Sequence, residues 1–342
     1  MRELRALKRL FAAGILLAMM LPAAWAQEQT ITVPLNATTT GGAVSATNFA
    51  THALGLPSVN RKAQWIAGKP GSATAAVKAR LGPPTPGFYP GDLSNGFYNG
   101  PTVASATMHG LYVNGTQGDW GYPANFLNDL NQSTMIHIAD DYVGSSASNR
   151  YPVGNGLRLV GGLPHVIYDD TIIEAAYIGA LHYGSGYNHI YHVYLPPGQD
   201  VCFSAAPNQC YSPDNFKTFY FCAYHGSIDF PDIGHVLLTV EPFQNVDGCR
   251  VQAPSPNGLL IDSTADVLSH ETFETITDPD GTAWWNQFSL DLFGAEIGDE
   301  CQNFNFGYDF VTLNGRSYEI QPEYSNTWHG CVYSPHGVGQ LK

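Results

Sequence analysis

The sequence predicts a mixed α/β (α+β) fold, a single domain in which a mixed sheet packs against one helix that carries the functional site. Three strand-like runs follow one another at residues 189–195, 219–225 and 235–241. The last of them, HVLLTVE, is nearly continuous in apolar residues, as expected of a buried strand. A helical pattern then begins near Ser263 and ends in the turn that contains Pro279 and Gly281.

The N-terminus has the pattern of a secretory signal peptide over residues 1–26. A basic start is followed by an apolar run at residues 10–21 and by the small-x-small cleavage site Ala24-Trp25-Ala26. The apolar run is short for a membrane span, and no later stretch is apolar enough to be one. We therefore expect an exported protein, extracellular or periplasmic, without a membrane span.

Residues 27–100 are expected to form an irregular N-terminal segment, either an arm packed on the main domain or a propeptide. The segment is rich in Thr, Ala, Gly, Pro and Asn, with a possible short helix at residues 73–81 before a Pro-rich turn. Residues 101–342 then have the size of one domain. Before the three strands, this domain is expected to contain a short helix at 126–130, a strand at 135–143 and a helix at 171–183.

The main helix is predicted to begin with Ser263 as N-cap, since Asp266 follows three residues later, close to a capping box. Successive residues advance by about 100° around a helix. One face is therefore expected to be apolar, with Ala265, Leu268, Thr272 and Ile276, and the opposite face to carry Val267, His270, Glu271, Glu274 and Asp278.

The segment His270-Glu271-Thr272-Phe273-Glu274 resembles the H-E-x-x-H helix of zinc peptidases with one ligand exchanged. In that motif the residues at i and i+4 bind zinc and the intervening Glu acts as general base. Here Glu274 occupies the i+4 position, and Glu296 or Asp299 is placed to supply a third ligand downstream. Glu is scarce, with ten residues in the chain, yet four of them fall within thirty positions: Glu271, Glu274, Glu296 and Glu300. The order of strands, helix and downstream carboxylate is that of a zincin-like domain.

These residues predict a metal site in which His270, Glu274 and Glu296 are ligands and Glu271 is the catalytic general base. Asp299 is expected to orient a ligand or to replace Glu296 as one. One imidazole with carboxylates suits Zn²⁺, while a carboxylate-rich set also suits Ca²⁺ or Mn²⁺.

The other histidines are expected to be structural. His189 and His192 lie three apart on a strand and so on opposite faces. His225 ends a predicted strand, where a structural role is favoured over the alternative that it lines a cleft. His329 and His336, in C-terminal loops, remain alternatives for a missing ligand. All six Cys are in the C-terminal half, and an even number in an exported protein favours three disulfides, with Cys301 near enough in sequence to pair with Cys331.

Charge excludes some partners. The formal net charge is −14, and the predicted signal peptide is itself basic, so the mature chain is more acidic still. Nucleic acid and anionic membrane surfaces are therefore not expected partners. The partner classes left by this exclusion are a peptide and a cell-wall or other extracellular substrate.

Several segments together resemble the EXORDIUM / phosphate-induced protein family, and especially its bacterial secreted relatives. They are YHVYLPPGQDVC, FCAYHGS, SHETFETITDPDGTAWW, EIGDEC and NGRSYEIQPEYSNTWHGC. The resemblance runs from about residue 105 to the end, and plant members are apoplastic proteins connected with growth. It implies a secreted protein with this helix and its carboxylates, and the positions that match are His270, Glu271, Glu274, Thr277, Pro279, Glu296, Asp299 and Cys301.

Two hypotheses follow from the sequence. The first is a secreted metal-dependent hydrolase, zinc metallopeptidase-like. The second is a non-enzymatic extracellular or cell-surface binding protein, in which the same His/Glu cluster holds a structural cation. An open coordination position facing a cleft would favour the enzyme, and closed coordination would favour the structural site.

Overall fold

The structure is a computed structural model that describes residues 31–35, 46, 48–55, 91–95, 99–252, 254–286, 296–302 and 310–337. The predicted signal peptide and the helix expected at 73–81 lie outside these residues. In chain order the strands are β1 (Ile31–Pro34), β2 (Asn48–Gly55), β3 (Thr107–Val113), β4 (Leu157–Val160), β5 (Val166–Ile167), β6 (His189–Tyr194), β7 (Asp200–Phe203), β8 (Ala206–Tyr211), β9 (Phe221–Phe230), β10 (Gly234–Glu241), β11 (Val311–Leu313), β12 (Arg316–Tyr318), β13 (Glu323–Ser325) and β14 (Gly330–Val332). The α-helices are α1 (Pro123–Asn131), α2 (Asp140–Val143), α3 (Asp169–Tyr183) and α4 (Leu259–Thr277), and short 3₁₀ turns span Gln117–Trp120, Met135–Ala139 and Asp299–Cys301.

The main sheet has seven strands in the order β1-β4-β3-β6-β10-β9-β2. The pairs from β1 to β10 are parallel, whereas β9 pairs antiparallel with both β10 and β2. The prediction of a mixed α and β fold with a mixed sheet is therefore confirmed. The predicted strands at 189–195, 219–225 and 235–241 correspond to β6, β9 and β10, which are neighbours in this sheet.

Two described stretches of the segment expected to be irregular, residues 27–100, are strands of the main sheet. β1 and β2 stand at its opposite edges, where β1 pairs with β4 and β2 pairs with β9. The sequence ITVP of β1 contains the β-branched residues Ile31, Thr32 and Val33, which favour extended backbone. The composition of residues 27–100 did not indicate these strands, because Thr and Ala are common in loops as well.

The sheet is covered on both faces, and alternate residues of each strand therefore enter different cores. On β6, Ile190 packs in the core on the side of α1 and α4, whereas Tyr191 and Val193 pack in the core on the side of α3. Leu268 and Phe273 of α4 are fully buried. Burial of one such side chain stabilises the fold by roughly 1.5–3 kcal/mol. These two residues therefore stabilise the packing of α4 against the sheet.

Helices α1 and α3 confirm the helices predicted at 126–130 and 171–183. The strand predicted at 135–143 is wrong, because the structure has the 3₁₀ turn Met135–Ala139 followed by α2. The buried residues Met135, Ile138, Ala139 and Tyr142 recur at helical spacing. The helical spacing of the buried residues therefore indicates the observed helical turns, whereas the β-type composition of the run does not.

The predicted N-cap of the main helix is also wrong. Helix α4 begins at Leu259, and its N-cap is Gly258 with φ 91°. Ser263 instead lies inside the first turns, where its hydroxyl oxygen accepts a hydrogen bond from the Val251 N–H at 3.1 Å. Asp262 explains the earlier start, because its carboxylate accepts hydrogen bonds from Asn257 N and Nδ2 at 2.8 and 2.7 Å and so fixes the entering chain.

Three disulfides join all six cysteines, as predicted: Cys202–Cys210, Cys222–Cys249 and Cys301–Cys331. The first links β7 to β8, and the second joins the start of β9 to the loop after β10. The third ties the turn Asp299–Cys301 to β14. Within the described residues, no helix has both the length and the apolar composition that a bilayer span requires.

Candidate metal centre

Helix α4 and its C-cap residue carry a row of polar side chains at intervals of four residues: Asp262, Asp266, His270, Glu274 and the C-cap Asp278. Residues four apart lie close together on a helix, and the row turns slowly around the axis. Glu271 is next to this row. The predicted polar face is not exposed to solvent, since His270 and Glu271 are 0% and Glu274 is 1% exposed. It faces β9, the turn Asp299–Cys301 and the segment at 319–325.

Strand β9 contributes His225, which is fully buried beneath α4. Its neighbour Tyr224 packs in the core on the α3 side, so alternation directs His225 to the α4 side. His225 Nδ1 lies 3.4 Å from Glu271 Oε2 and 3.4 Å from Glu274 Oε2. Its Nε2 lies 3.6 Å from Glu296 Oε1 and 3.1 Å from the carbonyl oxygen of Asp278. His225 is thus central to the cluster.

The segment 296–299 completes the cluster on the other side of α4. His270 Nε2 lies 2.9 Å from Glu274 Oε1 and 3.7 Å from Asp299 Oδ1. The Asp299 N–H donates to Glu274 Oε1 at 3.2 Å. Gly298 permits this approach, because a Cβ atom at that position would lie 2.5 Å from His270 Nδ1.

Contacts with the C-terminal strands hold the 296–299 segment in place. The carbonyl oxygen of Gly298 accepts a hydrogen bond from Gln321 Nε2 at 2.8 Å, and that of Ile297 accepts one from the Tyr324 N–H at 3.1 Å. The Cys301–Cys331 disulfide adds a covalent tie close by. The carboxylates of Glu296 and Asp299 are therefore presented on a supported backbone.

The structure brings all the predicted site residues together, but in two overlapping groups. The ligand atoms of His225, Glu274 and Glu296 lie within 4.8 Å of one another, as do those of His270, Glu271 and Glu274. Glu274 belongs to both groups. Asp299 adjoins His270, and Glu296 adjoins His225. The sequence had instead grouped His270, Glu274 and Glu296 as one ligand set.

His225 is the site residue that sequence reasoning missed, since it was interpreted as structural. Alternation in FCAYHGS separates His225 from the apolar face that includes Tyr224, which is a weak signal for a polar site. Of the histidines kept as alternative ligands, His329 lies outside the cluster, with its Nδ1 2.9 Å from Asp92 Oδ1. His192, which was expected to be structural, has its Nδ1 2.9 Å from Thr239 Oγ1. His189 lies 3.2 Å from His109, on the opposite face of β6 from His192, as predicted.

Further carboxylates surround the cluster. Glu241 on β10 is 1% exposed and accepts a hydrogen bond from Thr239 Oγ1 at 2.8 Å. Glu323 on β13 is 0% exposed, and neither of its carboxylate oxygens has a hydrogen-bond partner among the described residues. Arg150 is the only buried Lys or Arg in the described part of the chain, and it pairs with Asp140. The buried carboxylates around α4 therefore lack cationic side chains other than histidine.

This imbalance perturbs the protonation of the cluster. Burial raises the pKa of Glu296, Glu323 and Glu241 well above their usual range. Burial opposes ionisation of Glu274 too, but His270 and His225 outweigh it and lower the pKa of Glu274 to about 2.

The two histidines respond in the opposite direction. Burial lowers the pKa of His225 and His270, but Glu296 beside His225 and Glu274 beside His270 outweigh it, and both pKa values rise well above normal. In the absence of a cation, the negative charge of this buried site is reduced by protons held on its histidines and carboxylates. A bound cation can take the place of those protons.

The residues fit a divalent cation. Both oxygens of Glu271 and the Nδ1 atom of His270 are fully buried without a hydrogen-bond partner among the described residues, although Glu271 Oε2 lies 3.4 Å from His225. Buried polar atoms of this kind normally have partners. Imidazole nitrogens with carboxylate oxygens are the donors that Zn²⁺ takes, and the carboxylates also suit Mn²⁺ or Ca²⁺.

No protein-family model, curated protein or solved structure matches this chain. The interpretation of the cluster therefore depends on its own geometry and chemistry.

Proposed function

We propose that this chain is a secreted metal-dependent hydrolase, zinc metallopeptidase-like, with a zincin-like domain and a relationship to the EXORDIUM / phosphate-induced protein family. The observation that carries the proposal is the buried group of two histidines and three glutamates where α4 meets β9 and the 296–299 segment. His225, His270, Glu274 and Glu296 are its candidate ligands, with Asp299 beside them.

The inclusion of His225 favours zinc more than the sequence alone did, because it adds a second imidazole to the donor set. A bound zinc ion would supply Lewis acidity and would favour ionisation of a water molecule at this point. Glu271 is the candidate general base. Its carboxylate adjoins His270 and Glu274, and its Oε2 lies 3.4 Å from His225 Nδ1. Its Oε1 has no hydrogen-bond partner among the described residues and is therefore available to accept a proton.

Export is part of the proposal. The signal-peptide pattern of residues 1–26 and the three disulfides are typical of proteins that mature in an oxidising compartment. The strongly acidic chain disfavours nucleic acid as a partner. A peptide or a cell-wall component outside the cytoplasm is the substrate class that fits.

One observation favours the second candidate function, a non-enzymatic extracellular protein with a structural cation. The side chains of His225, His270, Glu271 and Glu274 are at most 1% exposed, and that of Glu296 is 6% exposed. Structural metal sites are closed in this way, whereas catalytic sites keep a position open to solvent or substrate.

Metal analysis combined with hydrolysis assays separates the two functions. Purified exported protein is assayed on a protein and a peptide-library substrate, before and after treatment with a chelator. The enzyme proposal expects hydrolysis that chelation abolishes, and expects Glu271→Gln to keep metal and fold but lose turnover by at least about 100-fold. Glu174→Gln, at a buried glutamate of α3, is the matched control and should remain active. Bound metal without hydrolysis of any substrate, together with loss of stability on chelation, would identify a structural cation instead.

A further inference from the structure

We infer that the cluster is built for two divalent cations, with Glu274 as the carboxylate that bridges them. The inference rests on the proposed metal-dependent function and specifies its centre. Three observations support it: the direction of the two Glu274 oxygens, the separate sets of side chains around each oxygen, and the number of carboxylates that must be neutralised.

The two oxygens of Glu274 face two different histidines. Oε2 lies 3.4 Å from His225 Nδ1, and Oε1 lies 2.9 Å from His270 Nε2. The histidines come from different elements, β9 and α4, so they approach the carboxylate from different sides. A single ion would use this group as an ordinary ligand, whereas a carboxylate with a nitrogen donor at each oxygen has the arrangement of a bridge between two ions.

Each oxygen also has its own carboxylate neighbour. His225, Glu274 and Glu296 form one group, because one ligand atom from each lies within 4.8 Å of the other two. In this group Glu296 Oε1 is 3.6 Å from His225 Nε2, the ring nitrogen on the other side from the Nδ1 that faces Glu274 Oε2. On the Oε1 side, Asp299 Oδ1 lies 3.7 Å from His270 Nε2. The first position therefore takes His225, Glu274 and Glu296, and the second takes His270, Glu274 and Asp299. The Asp299 N–H bond to Glu274 Oε1 does not prevent this, since a carboxylate oxygen has a second lone pair.

Charge favours two ions over one. Glu271, Glu274, Glu296 and Asp299 are all buried, and no Lys or Arg of the described residues is buried with them. With both imidazoles neutral, as metal ligands must be, a single divalent ion would compensate two of these four carboxylates, while two ions would compensate all four. Uncompensated buried carboxylates are costly, and Glu323 and Glu241 nearby increase that cost.

Glu271 lies where it faces both positions. It is 3.4 Å from His225 and belongs to one group with His270 and Glu274. Two-metal hydrolytic sites hold their ions about 3.5–4 Å apart, so a base at this point can serve a water molecule at either ion. We therefore keep Glu271 as base and assign the second position to Asp299.

The test is the metal content of the exported full-length protein and of single variants, measured by elemental mass spectrometry after purification in the presence of Zn²⁺. We expect about two ions per chain in the wild type and about one in both Asp299→Asn and Glu296→Gln, because each removes a ligand of one position only. Glu271→Gln should keep about two, and so should the control His329→Gln, whose side chain pairs with Asp92 outside the cluster. Far-UV circular dichroism and melting verify that each variant is folded.

A second measurement does not depend on the variants. Protein loaded with Mn²⁺ should give the electron paramagnetic resonance spectrum of an exchange-coupled pair, because a bridging carboxylate couples the two spins. One ion per chain with an isolated Mn²⁺ spectrum would overturn the two-ion inference and leave the hydrolase proposal standing. Absence of any bound ion would overturn both. Loss of an ion in Glu271→Gln, with retention in Asp299→Asn, would also contradict the assignment, because it would make Glu271 the ligand.

Discussion

His225 of β9 and Glu274 of α4 approach each other with 3.4 Å between Nδ1 and Oε2, and their side chains are 0% and 1% exposed. The contact joins the antiparallel part of the sheet to the helix that covers it. A cation bound by both side chains would hold the two layers together. Metal binding and folding are therefore expected to be linked.

Removal of the metal should destabilise the protein. A ligand present at about 100 times its dissociation constant stabilises the native state by about 2.7 kcal/mol, and a chelator abolishes that contribution. We expect chelation to lower the melting temperature by several degrees, and Glu274→Ala to do the same without chelator. The measurement is thermal unfolding followed by circular dichroism, with Glu174→Gln as control. Equal melting temperatures with and without chelator would contradict the linkage.

Gly298→Ala should weaken metal binding without removing any ligand. The added Cβ would lie 2.5 Å from His270 Nδ1, so either the imidazole or the 296–299 backbone must move. Overpacking of this kind costs about 1–3 kcal/mol, and a displaced ligand set should lower metal affinity by about tenfold or more. Metal titration of the variant measures the effect. Gly162→Ala is the control, since a Cβ there has open space around it, and a similar loss in both variants would argue against the steric explanation.

The hairpin of β9 and β10 should contribute pH-dependent stability through His235. Its Nδ1 lies 2.7 Å from Asp229 Oδ1 and its Nε2 lies 3.0 Å from Asp280 Oδ1, just after α4. The hydrogen bond with Asp280 is the largest of the effects that raise the pKa of His235, and burial only partly opposes it. The folded pKa is thus above the unfolded one, so the stabilisation is present below the unfolded pKa and is lost as pH rises through the folded pKa.

The pH effect is measured as the difference in melting temperature between wild type and His235→Gln. We expect a larger difference at about pH 5.5 than at about pH 8.5, on either side of the usual histidine range. His137→Gln, at a partly exposed histidine that contacts Asp140, is the comparison. A difference that grows with pH would contradict the sign.

Loss of the Cys301–Cys331 disulfide should affect both stability and the centre. Its sequence separation is 30, against 8 for Cys202–Cys210. Loop-closure entropy then predicts that replacing both cysteines by Ser destabilises the protein by about 3–4 kcal/mol at Cys301–Cys331 and by about 2–3 kcal/mol at Cys202–Cys210. Because Asp299 is close to Cys301, only the double Ser variant at Cys301 and Cys331 should also lose metal affinity.

Mass spectrometry of the exported chain tests the cysteine and export predictions together. The mature protein should begin near Gln27 and contain no alkylatable thiol before reduction. Alkylation of two or more cysteines without reductant would contradict the three disulfides.

The sequence by itself determined the elements with strong local signals. The apolar run of β10 predicted a buried strand, the spacing of His270, Glu271 and Glu274 put three donors on one side of a helix, and the even number of cysteines predicted three disulfides. It misread residues 135–143 and the start of α4. The apolar pattern of the short run at 135–143 is compatible with both a strand and a helix. Helix α4 begins before Ser263 because the contacts of Asp262 hold the preceding residues in place.

Only the tertiary structure decided which groups meet. His225 enters the cluster because α4 packs over β9, a tertiary contact between separate elements that no local pattern encodes. Burial of the polar face of α4 likewise depends on the 296–299 segment and β13 closing over it. Local spacing fixes the side chains along one helix, but the position of one segment against another results from the packing of the whole chain, and that packing placed a histidine at each oxygen of Glu274.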